Sequence, residues 1–311
     1  MTVNISSMRA LTQGDFMIES VDAPFEGLEC VQLKNDLITI WLTKDVGPRI
    51  LGLKYKDGEN LLAVLPDLKI PVEGADDYSL RGGHRLWYAP EKPETSYIAD
   101  DQPLEISPFN NGINVIQNVD RPTGIQKSWQ VAMAENEAQL TIVHKLTNRG
   151  DKEFELAPWA ITQLRPGGTA VLPLQIEQDD EHGLLPNRQI VFWPYTELNS
   201  PHLLLGDKGV VVKADLSEGA LKVGAPNPIG WLAYELDGFL FIKRADYQAD
   251  ARYLDRGASS QIYCSGDFIE LETLGPVVKL APGESVEHQE IWQVFPEDDW
   301  PLETKGIFQK F

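Results

Sequence analysis

Two glutamates separated by one residue carry the clearest chemical signal in this chain. Glu270 and Glu272 belong to the sequence Glu-Leu-Glu-Thr at 270–273, where polar and apolar residues alternate. Residues two apart on a β-strand share a face, so both carboxylates are predicted to point to the same side. Two carboxylates beside an apolar sheet suggest a functional site. The alternative is a pair of glutamates on the solvent-exposed face of an antiparallel strand.

A second polar cluster surrounds a glycine pair at 82–83. Arg81 precedes the pair, and His84, Arg85 and Trp87 follow it. Paired glycines let a backbone pass close to a ligand, and long basic or imidazole groups around them suit a sugar. A tight turn is the alternative interpretation of the two glycines alone.

Two further stretches add candidate substrate-binding residues. In the stretch 154–165, Trp159 can stack on a sugar ring, and Gln163 and Arg165 supply nearby polar groups. Lys243 ends a later strand, where a surface ion pair is the alternative to a clamp on a hydroxyl or an anion. We predict that the protein has one concave cleft for a ligand, lined by Arg81, His84, Arg85, Trp159 and Glu272.

The elements that must position these residues are strands. Alternating apolar and polar residues at 30–42 and 231–243 flank short polar turns, one of them Leu-Asp-Gly, and predict hairpins. Turn signals recur about every ten residues, and helical periodicity is nearly absent. This pattern predicts an all-β protein with two large packed antiparallel sheets. All-β proteins of 311 residues commonly remain one domain, so we predict a single domain over 1–311.

Three of these segments resemble the aldose 1-epimerases, or galactose mutarotases. In that family a strand similar to 270–273 carries the catalytic base, and the next hairpin opens much like the Leu-Ala-Pro-Gly-Glu sequence at 280–284. The resemblance assigns the base to Glu272. It places Arg81 in the slot that holds a sugar-binding histidine in the mutarotases and an arginine in the related hexose-6-phosphate epimerases. It implies a galactose mutarotase-like β-supersandwich and the interconversion of sugar anomers by ring opening. No metal and no cofactor are implied.

The segment 154–165 departs from the family's pattern. The family carries a second histidine there, which acts as the general acid, and this chain has none; Ile161 or Thr162 occupies the slot. His84 is therefore predicted to be the acid. Three hypotheses remain open: a mutarotase acting on a free aldose, a carbohydrate-binding or sensing protein without catalysis, and an epimerase of a phosphosugar or uronate that uses the arginines.

Composition excludes some partners. The net charge of −20 and the sequence pI of about 4.6 repel nucleic acid and anionic membranes at long range. No stretch reaches the roughly 18 apolar residues that span a bilayer, and residues 1–9 lack the apolar centre of a signal peptide. We therefore predict a cytoplasmic protein with a small sugar or sugar derivative as its partner. The sequence does not specify an oligomeric state.

The remaining reactive side chains are predicted to be structural. Cys30 and Cys264 are far apart and have no spacing typical of a zinc or redox site, so buried free thiols are expected. His144 is in phase with Leu140, Ile142 and Leu146, which predicts a hydrogen-bonded core histidine rather than a ligand.

Overall fold

Strands make up 50% and helices 6% of the described residues, which confirms the all-β prediction. The computed structural model describes residues 19–74, 76–177 and 180–308. Residues 1–9, where the sequence predicts no signal peptide, lie outside the described residues. In the described parts of the chain, no helix combines the length and the apolar character needed to cross a membrane.

The described elements follow one another along the chain as twenty-three strands, two helices and two 3₁₀ turns. The first twelve strands are β1 (Glu19–Asp22), β2 (Cys30–Lys34), β3 (Ile38–Thr43), β4 (Ile50–Tyr55), β5 (Val64–Ile70), β6 (Tyr78–Gly82), β7 (His84–Ala89), β8 (Glu105–Phe109), β9 (Gly112–Ile116), β10 (Ile125–Met133), β11 (Gln139–Asn148) and β12 (Phe154–Leu164). The others are β13 (Thr169–Pro173), β14 (Val191–Phe192), β15 (Leu203–Leu205), β16 (Gly209–Lys213), β17 (Ala220–Ala225), β18 (Trp231–Leu236), β19 (Phe239–Ala245), β20 (Ser260–Ser265), β21 (Ile269–Leu274), β22 (Val278–Leu280) and β23 (Ser285–Pro296). The helices are α1 (Pro93–Ser96) and α2 (Leu302–Phe308), and 3₁₀ turns lie at Asp255–Gly257 and Glu297–Asp299.

These strands form two large antiparallel sheets. Among the described residues, the first sheet has the order β1-β2-β3-β4-β7-β12-β21-β20-β17-β14, with β22 paired to β12. The second has the order β15-β16-β13-β18-β19-β23-β11-β10-β9-β8, and β5 and β6 form a separate hairpin. The predicted hairpins at 30–42 and 231–243 are confirmed as the pairs β2–β3 and β18–β19.

The main hydrophobic core lies between the two sheets. Strand β12 shows how alternation builds it, because Leu156, Ala160 and Leu164 point into this core while Trp159 and Ile161 point to the opposite face. Each sheet thus buries one face against the other, as in a β-sandwich. The single-domain interpretation stays a prediction.

The outer face of the first sheet is also covered. Tyr78 and Leu80 of the hairpin β5–β6 pack there against Trp87 and Trp159. Where this hairpin meets the sheet, both glycines at 82–83 have positive φ, and a Cβ added to either would clash with nearby backbone. The glycine pair therefore brings two stretches of protein backbone close together, which is a structural reason for its presence.

Candidate functional site

Six of the ten site residues predicted from the sequence share the outer face of the first sheet, which we call the site face. Residues at alternate positions of three adjacent strands point there, and the strand register places Trp87 opposite Trp159 and Gln163 opposite Glu270. The predicted residues on the site face are Arg85 and Trp87 from β7, Trp159 and Gln163 from β12, and Glu270 and Glu272 from β21.

Glu272 lies at the centre of the site face and has no exposed surface. Its Oε2 accepts hydrogen bonds from Trp159 Nε1 and Lys222 Nζ, each at 2.8 Å. Its Oε1 has no hydrogen-bond partner among the described residues. Burial raises the pKa of Glu272 to about 7; the charge of Glu270 acts in the same direction, while the Lys222 ammonium and the two hydrogen bonds oppose the rise.

Lys222 is the main site residue that the sequence reasoning missed. Its ammonium lies 5.0 Å from the ring centroid of Trp159 and 4.8 Å from that of Trp193. Leu221 and Val223 on either side of it point into the core between the sheets. A lysine between two core residues of a strand was the available signal, because alternation places such a side chain on the face opposite to the core.

Arg85 and Gln163 bring further polar atoms to the site face. Arg85 Nη2 donates to Glu270 Oε1 at 3.1 Å, and its guanidinium lies 4.1 Å from the ring centroid of Trp87. The Nε and Nη1 atoms of Arg85, and both amide atoms of Gln163, have no hydrogen-bond partner in the described parts of the chain. Buried polar groups are normally paired, so this concentration of unpaired ones is unusual.

The site is closed in this structure. Arg85, Gln163, Glu270 and Glu272 are each at most 7% exposed. Lys222 is 5% exposed and separates Glu272 from the Trp193 ring. Glu272 is therefore out of reach of a ligand in this structure, and side chains over the site face must move before a ligand can contact it.

The structure corrects the prediction that His84 shares a cleft with Glu272. His84 precedes Arg85 on β7 and therefore points to the opposite face, between the two sheets. Its Nε2 lies 2.7 Å from His144 Nε2, and its Nδ1 lies 3.0 Å from Thr162 Oγ1. It has no exposed surface, and burial lowers its pKa well below the ordinary value. His84 cannot contact a sugar bound on the site face.

Lys243 is corrected in the same way. It is fully buried between the sheets, where Nζ lies 2.9 Å from Glu290 Oε1 and donates to the carbonyl oxygens of Ala160 and Leu271. His144 lies in the same buried network, which confirms the prediction of a core histidine.

One set of side chains has the composition of a metal site. Possible ligand atoms of His84, His144 and Glu290 lie within 4.8 Å of one another among the described residues. The two imidazoles are within hydrogen-bond distance of each other, and Glu290 is already neutralised by Lys243. We therefore interpret this set as a buried hydrogen-bond network.

Arg81 and Arg165 are bound to other residues. Arg81 Nη1 donates to Asp100 Oδ1 at 3.2 Å, and the fully buried Arg49 binds the other oxygen of the same carboxylate. Arg165 Nη2 donates at 2.6 Å to Asp237, in the β18–β19 turn of the second sheet. Of the three predicted arginines, Arg85 is the one that the structure pairs with a site-face residue.

Comparison with known proteins supports the architecture. No protein-family model and no curated protein matches this sequence. A TPR-domain containing protein from Parabacteroides distasonis is similar in structure, with 15% identity and a TM-score of 0.60. The match covers 88% of this chain and 48% of that protein, so the chain spans about half of its length.

Two further solved structures match along nearly their whole length. A galactose mutarotase-like protein from Lactobacillus casei has 12% identity and a TM-score of 0.57, covering 86% of this chain and 100% of that one. A candidate aldose 1-epimerase from Escherichia coli K12 has 12% identity and a TM-score of 0.50, covering 85% and 98%. Identities this low establish the fold alone. The chain has the all-β fold of galactose mutarotase-like proteins.

Proposed function

We propose that the site face binds a carbohydrate. The observation that carries this proposal is the set of buried, unpaired hydrogen-bonding atoms on Arg85, Gln163 and Glu272, beside the rings of Trp87 and Trp159. Leaving such atoms unpaired costs roughly 1–3 kcal/mol each, so a ligand that pairs with them recovers that free energy.

The chemistry of the unpaired atoms matches that of a sugar. Arg85 offers N–H donors, Glu272 Oε1 offers an acceptor, and Gln163 offers both. Sugar hydroxyls donate and accept hydrogen bonds, and the C–H face of the ring packs against aromatic side chains. The similarity to the fold of galactose mutarotase-like proteins agrees with a carbohydrate ligand.

Isomerisation of sugar anomers is the second candidate function, and Glu272 favours it. A pKa of about 7 suits a general base at neutral pH. The proton donor is the weak point, because His84 lies on the other face. Tyr263 is close to Glu270 on the site face, but burial raises its pKa to about 12, so it supplies a hydrogen bond rather than a proton. Binding is therefore better supported than ring opening.

Replacement of Gln163 tests the binding proposal. Gln163→Leu removes two buried polar atoms that have no partner among the described residues, so the melting temperature should stay the same or rise. The affinity for a sugar should fall by about tenfold, since one or more ligand hydrogen bonds are lost. Titration calorimetry with neutral, acidic and phosphorylated aldoses measures the affinity. Gln130→Leu, at an exposed position of the second sheet, is the control and should bind normally.

The same proteins decide between binding and isomerisation. NMR exchange spectroscopy measures the rate of anomer interconversion for each sugar that binds. If the protein is an isomerase, Glu272→Gln should abolish an acceleration of about 10²–10⁴-fold in the anomer exchange of the sugars that the variant still binds. Binding without accelerated exchange in the wild type supports the non-catalytic function, and the absence of binding to any sugar contradicts both.

A further inference from the structure

We propose that Lys222 is a positioning residue that fixes the Glu272 carboxylate, binding Oε2 to the protein and leaving Oε1 for the ligand. This inference rests on the proposed carbohydrate-binding function, because it assigns the ligand-facing oxygen of that site.

The two oxygens of Glu272 have different environments. Oε2 accepts two hydrogen bonds, from Lys222 Nζ and Trp159 Nε1, and Oε1 accepts none from the described residues. A free carboxylate exchanges its two oxygens by rotation about the last side-chain bond. Two donors on Oε2 oppose that rotation, so Oε1 remains the oxygen that is available to a ligand.

Lys222 is itself held in place. Its ammonium lies against the rings of Trp159 and Trp193, an arrangement that favours a cation. Its backbone N–H donates to Thr196 Oγ1 at 2.8 Å, and the Thr196 hydroxyl donates to its carbonyl oxygen at 2.8 Å. A lysine side chain loses rotamer freedom when it is ordered, and these contacts offset that cost in advance of ligand binding.

The other titratable groups around Glu272 do not take the place of Lys222 in stabilising its carboxylate. On the site face, Glu270 opposes ionisation of Glu272, and Arg85 is already paired with Glu270. Tyr195 and Tyr263 are uncharged at neutral pH. Burial raises the pKa of each above its ordinary value, and the carboxylate of Glu272 acts in the same direction. Lys243 interacts with Glu272 from the far side of the sheet, where Glu290 neutralises it.

Lys222 is therefore the one described cation in direct contact with the Glu272 carboxylate. Burial and the charge of Glu270 raise the pKa of Glu272, and Lys222 is the main group that lowers it. Without Lys222, the Glu272 carboxyl should therefore hold its proton at higher pH. A protonated Glu272 offers a donor where the ligand meets an acceptor in the wild type. The position and the protonation state of Glu272 thus depend on the same side chain.

The test compares Lys222→Met with Lys222→Arg. The pKa of Glu272, read from its side-chain carboxyl carbon by NMR in the free protein, should rise by at least about one unit in the methionine variant. The arginine variant keeps the charge and should stay near the wild-type value of about 7. Lys145→Met removes an exposed cross-strand pair with Glu287 and is the control that should cause no shift.

Sugar affinity across pH provides the second readout. In Lys222→Met, the pH at which affinity changes should move upward together with the pKa of Glu272, which a purely structural lysine would not cause. If the methionine variant fails to fold, Trp193→Leu should move both quantities in the same direction by a smaller amount, because the lysine loses one of its two rings.

The outcomes separate this inference from the proposed function. Sugar binding with an unshifted pKa of Glu272 in Lys222→Met and in Trp193→Leu overturns the role of Lys222 and leaves the binding function intact. A shifted pKa in a protein that binds no sugar overturns the binding function, and with it the ligand-facing role of Glu272 Oε1.

Discussion

At the scale of single residues, position along a strand decides which chemistry a side chain can take part in. His84 and Arg85 are neighbours in the sequence but point to opposite faces of the first sheet. Arg85 reaches Glu270 on the site face, while His84 binds His144 and Thr162 in the core. A shift of one residue would exchange their environments.

Replacing His84 should affect stability rather than binding. His84→Ala removes one hydrogen-bond partner from each of His144 and Thr162 and opens a cavity between the sheets, so the free energy of unfolding should fall by about 3 kcal/mol or more. Urea unfolding measures the loss. Sugar affinity under folding conditions should equal that of the wild type. Loss of sugar binding with normal stability would contradict this prediction and show that His84 contributes to the binding site.

At the scale of elements, the strand β17 and the segment 193–196 close the site together. Strand β17 supplies Lys222, and the following strands β20 and β21 bring Glu272 within its reach. Trp193 and Thr196 of the segment contact the side chain and the backbone of Lys222. Tyr195 of the same segment is 46% exposed and packs edge-on against Tyr263. The segment 193–196 thus forms a cover over Lys222.

Thr196→Val should loosen this cover. Valine has nearly the same shape as threonine but cannot accept the hydrogen bond from the Lys222 N–H or donate to its carbonyl oxygen. Hydrogen exchange of the Lys222 amide should become about tenfold faster, as expected for a loss of about 1.4 kcal/mol in local stability. Native-state exchange followed by NMR measures the rate. Amides in the distant pair β10–β11 should keep theirs, and an unchanged rate at Lys222 would show that Thr196 does not hold the strand.

At the scale of the whole molecule, the sandwich buries ionisable groups between its sheets. His84, His144 and His288 lie there with Glu290 and Lys243. Burial lowers the pKa of His144 and of His288 to about 4 and that of His84 well below its ordinary value, so the folded protein holds these histidines neutral. The net charge of −20 belongs to the same scale, and the exclusion of nucleic acid and anionic membranes as partners, which rests on it, stays a prediction. The cytoplasmic location stays a prediction.

Stability should therefore fall as the pH drops from about 6.5 towards 4. The three histidines have depressed pKa values in the folded state, so the stability present above pH 6.5 is lost as the unfolded chain takes up their protons. Glu272 acts in the opposite direction: its pKa is raised to about 7, so its contribution is largest at low pH and declines as the pH rises to 7. Near pH 5.5, unfolding should take up roughly two protons net, three at the histidines less one released by Glu272.

Urea unfolding at several pH values measures this proton uptake. Two protons correspond to a slope of about 2.7 kcal/mol per pH unit. His288→Asn should reduce the uptake by about one proton, and Glu272→Gln should increase it by about one. If His288→Asn does not fold, the wild-type slope decides: stability independent of pH between 4.5 and 6.5 would contradict the neutral buried histidines.

Several features were predictable because they depend on neighbours in the sequence. The alternation at 270–273 determined that Glu270 and Glu272 share a face, and the polar turns at 34–36 and 236–238 determined two hairpins. Turn residues and a period of two act over a few residues, so they can be recognised before the tertiary structure is known. Alternation at 140–146, where His144 is in phase with three apolar residues, likewise predicted that His144 is a core residue.

Other features depended on which strands lie side by side. Lys222 meets Glu272 across 50 residues of sequence, and Arg85 meets Glu270 across 185. Each pair is set by the order and register of strands in the sheet, which the whole hydrophobic core determines and no local pattern encodes. The sequence by itself determined the all-β class, the hairpins and the shared face of the two glutamates. Only the tertiary structure decided that Lys222 completes the site and that His84 and Lys243 lie between the sheets, because contacts between distant strands exist only after the sheets have assembled.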